Sequence, residues 1–175
     1  MQKVVLTFGL IAGAILSVMM LITMVLLRDK IGFDNGEVIG YTTMVLAFLM
    51  IFFGVKSYRD NVAGGTISFG RAFQVGILIM AIGSACYVAT WEVIYFKFEP
   101  DFGDKYAAYA VGQARKAGKS EEEVQALQKK MDEFTKEYKN PLVNIAFTFL
   151  EPLPVGLLVT LVSAGVLKKK KPVMA

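Results

Sequence analysis

VVLTFGLIAGAILSVMMLITMVLL, residues 4–27, carries no charged side chain and stops at Arg28. A helix that crosses a bilayer needs about 20 predominantly apolar residues, because each one advances the chain by only ~1.5 Å. This run meets that length in one piece. It is also longer than the roughly 7–15-residue apolar region of a cleaved signal peptide, and it ends in MVLLR where small residues would mark a cleavage site. It reads as a retained first span. Three more stretches share its character: 38–55, bounded by Glu37 and Lys56; 72–96, interrupted by Glu92; and 142–167, interrupted by Glu151.

Composition points the same way. Apolar residues make up 55% of the 175-residue chain and charged residues 19%, against about a quarter charged in a soluble domain. The expected fold is an all-α integral membrane four-helix bundle, with residues 1–175 forming one membrane domain. There is no histidine and a single cysteine, Cys86, so the commonest general base and metal ligand is missing. No nucleophile–base pair, metal-ligand cluster or dinucleotide fingerprint occurs. The expectation is therefore no enzyme, no metal and no cofactor. The net charge of +4 is concentrated in the run Lys168 to Lys171, which gives no reason to expect a nucleic-acid partner. The expected partners are the lipid bilayer and a second copy or another membrane protein.

Basic residues set the orientation, because the loops that carry them stay in the cytoplasm. Lys3, then Lys56, Arg59 and Arg71, then Lys168 to Lys171 fall on one side of a four-span protein. The other side has Arg28 and Lys30, diluted by Asp29, Asp34 and Glu37, and a long segment, 97–140, in which basic and acidic residues balance. Both termini are expected in the cytoplasm, and the long segment outside.

That segment carries its own helical signals. A helix over 104–116 is predicted to stop at Gly118. Ser120 and Glu123 have the spacing of a capping box. Val124, Leu127, Met131, Phe134 and Tyr138 recur every three or four residues and so share a face. Asn140-Pro141 has the form of a helix cap and first turn. A helical hairpin is expected between spans 3 and 4, its apolar stripe packed on the bundle or offered to a partner. Trp91 and Tyr95 fit an interfacial aromatic belt.

The membrane carboxylates are the candidate chemistry. An ionised carboxylate near the bilayer centre costs on the order of 3 kcal/mol by insertion scales, so it faces the bundle or a cavity. Glu151 lies well inside the fourth span. Asn144, Thr148 and Glu151 fall at i, i+4 and i+7, on one face. Pro152 and Pro154 lack amide hydrogens, so they kink the helix and leave the carbonyls of Thr148 and Leu150 without their usual donors. Glu92 shares a face with the small residues Ala81 and Ala85, which would turn it into the bundle. Glu92 and Tyr41 join Glu151 in the outer half of the membrane, where Arg28 is expected to pair with Glu37 or Glu92. Gly9, Gly13 and Ser17 form a small-residue face suited to helix packing, within the chain or between copies.

The runs LTFGLIAGAILSVMMLI, GEVIGYTTMVLAFLMIFFGVKSYRDN, GGTISFGRAF, ATWEVIYF and EPLPVGLLVTLVSAG resemble a bacterial membrane family, domain of unknown function 4199. The resemblance runs in order over nearly the whole chain. It implies a small multi-span membrane protein without an established activity, and it brings no catalytic residues. The residues favour a protein acting through packing or partner interaction. The alternative is a small oligomeric transporter or ion-coupled channel component that uses the intramembrane carboxylates.

Overall fold

A computed structural model describes residues 1–169; Lys170 and Lys171 of the basic run lie outside the described residues. Helix α1 (Gln2–Leu21) continues into a π-helical turn, Ile22–Leu26. Helix α2 spans Arg28–Asn61, and α3 (Phe69–Val93) runs into a second π-helical turn, Ile94–Phe98. Helices α4 (Phe102–Lys116) and α5 (Glu121–Tyr138) form the hairpin. The fourth apolar helix is split into α6 (Pro141–Leu150) and α7 (Leu153–Leu167). Four helical stretches, Gln2–Leu26, Lys30–Asn61, Phe69–Phe98 and Pro141–Leu167, are long and apolar enough to cross a membrane.

The boundaries follow local chemistry. Helix α2 extends beyond the 38–55 core at both ends, because hydropathy marks the lipid-compatible part of a helix and not its last hydrogen bond. It is broken at Gly32, whose φ of 67° belongs to the left-handed region, which glycine enters without steric cost. Helix α3 starts at Phe69 because the Ser68 hydroxyl accepts from the Arg71 amide at 3.3 Å. The capping box forms: Ser120 Oγ accepts from the Glu123 amide and the Glu123 carboxylate accepts from the Ser120 amide. Asn140 caps α6 through the Leu142 amide at 3.0 Å. The break between α6 and α7 falls at Glu151-Pro152, where the two prolines remove the donors to the Thr148 and Leu150 carbonyls.

Small residues bring the helices together. A Cβ built on Gly9 would lie 2.8 Å from that of Ile82, and one on Gly13 2.6 Å from that of Cys86. The Ser17 hydroxyl reaches the Cys86 carbonyl at 3.4 Å and accepts from Thr90 at 2.7 Å. The Gly9–Gly13–Ser17 face thus packs on α3 within the chain. Gly76 meets Thr160, and Gly156 meets Met80 and Phe48, closing α7 onto α2 and α3. Around these crossings lies a core of Leu16, Met44, Phe48, Ile51, Val75 and Ile79. Outside it, Leu6, Leu10, Leu46, Leu158 and Val166 are exposed. A soluble monomer rarely leaves so continuous an apolar surface uncovered, whereas a membrane protein requires it.

The N-terminus, the α2–α3 connection and the end of α7 meet at one end of the bundle. Ile67 and Lys169 exchange backbone hydrogen bonds of 3.0 and 2.9 Å, and Arg59 donates to the Leu167 carbonyl at 3.5 Å. The hairpin sits at the other end. One expectation fails there: Trp91 and Tyr95 are only 6% and 1% exposed. The hairpin covers them, and a second core of Met20, Trp91, Ile94 and Tyr95 forms beneath it.

Candidate functional site

Beneath the hairpin lies a cavity of about 650 Å³, within the roughly 300–1,000 Å³ typical of small-molecule sites. Its walls come from α1 and its π-turn, the first half of α2, the last turns of α3, and α6. The hairpin supplies the roof through Tyr106 and Tyr109 of α4 and Met131, Phe134 and Tyr138 of α5. The C-terminal half of the apolar stripe therefore faces this space, while Val124 and Leu127 pack on α4. Two sets of contacts hold the roof down. Phe33 of α2 packs against Phe102, Tyr106 and Tyr109 with ring centroids 5.0–5.8 Å apart, and Tyr109 donates to Asp34. On the other side Phe134 meets Phe147 at 5.3 Å and Tyr138 meets Tyr95 at 5.4 Å.

Gly32, Gly36 and Gly40 border the cavity one helical turn apart. A Cβ built on Gly32 or Gly40 meets nothing within 4 Å, and one on Gly36 meets only Ile31 Cγ2 at 4.0 Å. These glycines differ from those at the helix crossings, where a methyl group would collide. In a helix interior glycine costs about 1 kcal/mol relative to alanine. Gly36 and Gly40 recover none of that through close packing, and what they leave is room.

A closed chain of hydrogen bonds joins roof to wall. The Trp91 indole donates to the Tyr138 hydroxyl at 3.0 Å. The Thr148 hydroxyl donates to Asn144 Oδ1 at 3.2 Å, and the Asn144 amide donates to the Tyr138 carbonyl at 3.3 Å. Because the only hydroxyl proton of Thr148 is used on Asn144, Tyr138 is the donor in its 3.0 Å contact with Thr148. Burial pushes the Tyr138 phenol above its ordinary value, against the pull of its hydrogen bonds to Thr148 and Trp91, so it keeps the proton this chain requires. Tyr87 of α3 donates to the Glu151 carboxylate at 2.8 Å, at the break in the fourth apolar helix.

Glu151, Thr148 and Tyr41 all border the cavity. Asn144 is fully buried one turn behind Thr148. Glu92 stands apart: it does not border the cavity, and one of its carboxylate oxygens is buried without a hydrogen-bond partner among the described residues. The face it shares with Ala85 is not the bundle's centre, since Ala85 is exposed. Arg28 pairs with Glu99, not with Glu37 or Glu92. The chain turns back just after the second π-turn and presents Glu99 at the start of α2, a proximity invisible in sequence spacing. Tyr87, Tyr138 and the α2 glycines were missed as site residues. The four-residue glycine spacing was the available signal. Among the described residues, no three histidine, cysteine, aspartate or glutamate side chains gather as a metal site.

No curated protein and no solved structure matches the chain. A family model described as "Protein of unknown function (DUF4199)" matches residues 7–169. That match takes in most of the first apolar helix, the other three, the hairpin and every wall of the cavity, and the chain belongs to this family.

Proposed function

We propose that this chain is a multi-pass protein of the bacterial inner membrane that works by holding a small molecule in the cavity beneath the hairpin, without catalysis. The observation that carries the reading is the cavity itself, bordered by Gly36 and Gly40, which pack against no neighbouring helix. The basic residues gathered at the opposite end support cytoplasmic termini, so the cavity belongs to the outer half of the bilayer. Reporter fusions after Gly118 should read outside and those after Ala175 inside; the reverse pattern inverts this orientation.

The binding reading is tested by filling the space. In nanodiscs, a solvatochromic hydrophobic fluorophore should show saturable enhancement with the wild-type chain. The double variant Gly36→Phe/Gly40→Phe should lose it while melting no lower than wild type. Equal enhancement in both proteins would remove the reading. Transport is a second reading, favoured by the position of Glu151 at a helix break on the cavity wall. Proteoliposomes that show no ion or solute flux, or flux unaltered in Glu151→Gln, would eliminate it.

A further inference from the structure

The charge balance of the cavity selects among ligands. Four charged side chains border it: Arg28, Glu37, Lys105 and Glu151. Both cations are already compensated. Arg28 pairs with Glu99 and sits 5.7 Å from the centroid of the Phe102 ring. Lys105 lies 2.7 Å from Asp101 and 3.5 Å from Glu99. Among the described residues, neither Glu37 nor Glu151 has a cation within ion-pair distance. The surplus on the walls is therefore negative.

The rest of the lining reinforces that sign. Ten aromatic side chains and four methionines border the space. Aromatic rings carry negative potential on their faces and attract cations, most strongly where water is excluded. Methionine adds a polarizable surface that adapts to irregular apolar shapes. An anion would meet two carboxylates among ten aromatic side chains, and a neutral molecule would gain from burial alone.

We infer that the cavity binds a hydrophobic organic cation, with Glu151 and Glu37 as counter-ions and the aromatic shell replacing its hydration. This rests on the cavity being a binding site, and it adds the sign and class of the ligand. The charge lies where Glu151 can meet it directly, and Tyr87 holds that carboxylate through its 2.8 Å hydrogen bond.

Three probes of similar bulk test the inference on the full chain in nanodiscs, with empty nanodiscs subtracted: tetraphenylphosphonium, tetraphenylborate and triphenylmethanol. Trp91, the single tryptophan of the chain, borders the cavity and reports occupancy by its fluorescence. Tetraphenylphosphonium should bind saturably and at least about tenfold more tightly than the other two. Glu151→Gln should weaken it by about tenfold and Glu37→Gln by less. If Glu151→Gln fails to fold, Glu37→Gln and the three-probe comparison on the wild type decide. Borate or alcohol binding as tightly as the phosphonium, and lost in Gly36→Phe/Gly40→Phe, overturns the cation assignment but keeps the binding cavity. Phosphonium binding indifferent to both carboxylate substitutions also overturns the assignment. No saturable binding of any probe overturns both readings.

Discussion

Tyr87 of α3 donates its hydroxyl proton to Glu151 across 2.8 Å, fastening α3 to the break in the fourth apolar helix. The ring of Tyr87 also packs against both hydrophobic cores. Its hydroxyl and its ring therefore have separable roles. Tyr87→Phe should cost about 0.5–1 kcal/mol, at the low end for a hydrogen bond because Glu151 borders open space. Tyr87→Ala should cost about 3–5 kcal/mol by emptying the ring's volume. Unfolding in mixed micelles measures both, and equal losses would contradict the separation.

The two classes of glycine should respond oppositely to a side chain. Gly13→Val places branched carbon against Cys86, where a bare Cβ is already 2.6 Å from its neighbour, and should destabilise by about 1–3 kcal/mol. Gly36→Ala enters open space and should stabilise by up to about 1 kcal/mol. A comparable loss from Gly36→Ala would mean that the cavity wall is packed more tightly than its geometry implies.

Tyr138→Phe removes the central member of the Trp91–Tyr138–Thr148 chain and leaves a buried indole donor unpaired. A cost of about 1–3 kcal/mol follows, concentrated where the roof meets α3. Trp91 emission should change at once, before any global unfolding, and become more accessible to an aqueous quencher. Emission identical to wild type would show that the indole bond does not anchor the hairpin.

The start of α5 should be sensitive to acid. The Glu123 carboxylate accepts from the Ser120 amide at 3.0 Å and from its hydroxyl at 3.1 Å, which holds its pKa below the usual 4.5. Its contribution is complete above the unfolded value and disappears as pH falls through the lower folded value. Hydrogen exchange across the first turns of α5, corrected for intrinsic rate, should rise between about pH 6 and about pH 3 in the wild type and stay level in Glu123→Gln. Ser120→Ala should cost the helix about 1 kcal/mol near neutral pH. A wild-type profile as level as that of Glu123→Gln would contradict the capping role.

The elements were legible wherever local chemistry decides them. Charge-free runs marked the apolar helices, Ser120-x-x-Glu123 marked the start of α5, and Pro152 with Pro154 marked the break. Periodicity also found the stripe from Val124 to Tyr138. It could not say that the last three members would roof a cavity, because that depends on how the hairpin folds back over α2. The choice of Glu99 by Arg28 was hidden for the same reason, since every acid near the end of the bundle looks equivalent in one dimension. Trp91 and Tyr95 resembled lipid-facing residues because composition cannot register a covering element. Gly36 and Gly40 pack against no neighbouring helix, and the room they leave appears only once the surrounding helices are in place.

The two π-turns share one geometric device. The Leu27 amide bonds to the Ile22 carbonyl and the Glu99 amide to the Ile94 carbonyl, each at 2.9 Å and each one residue wider than an α-helical bond. The turns touch one another, and Arg28 and Glu99 emerge just beyond them to form their pair. One inserted residue shifts the phase of everything after it by about 100° around the helix axis. Deleting a residue from either turn would swing its charge away from the other while leaving the hydropathy of the helix unchanged. Natural variation in these ten positions should therefore run to exchanges of one side chain for another, with insertions and deletions excluded.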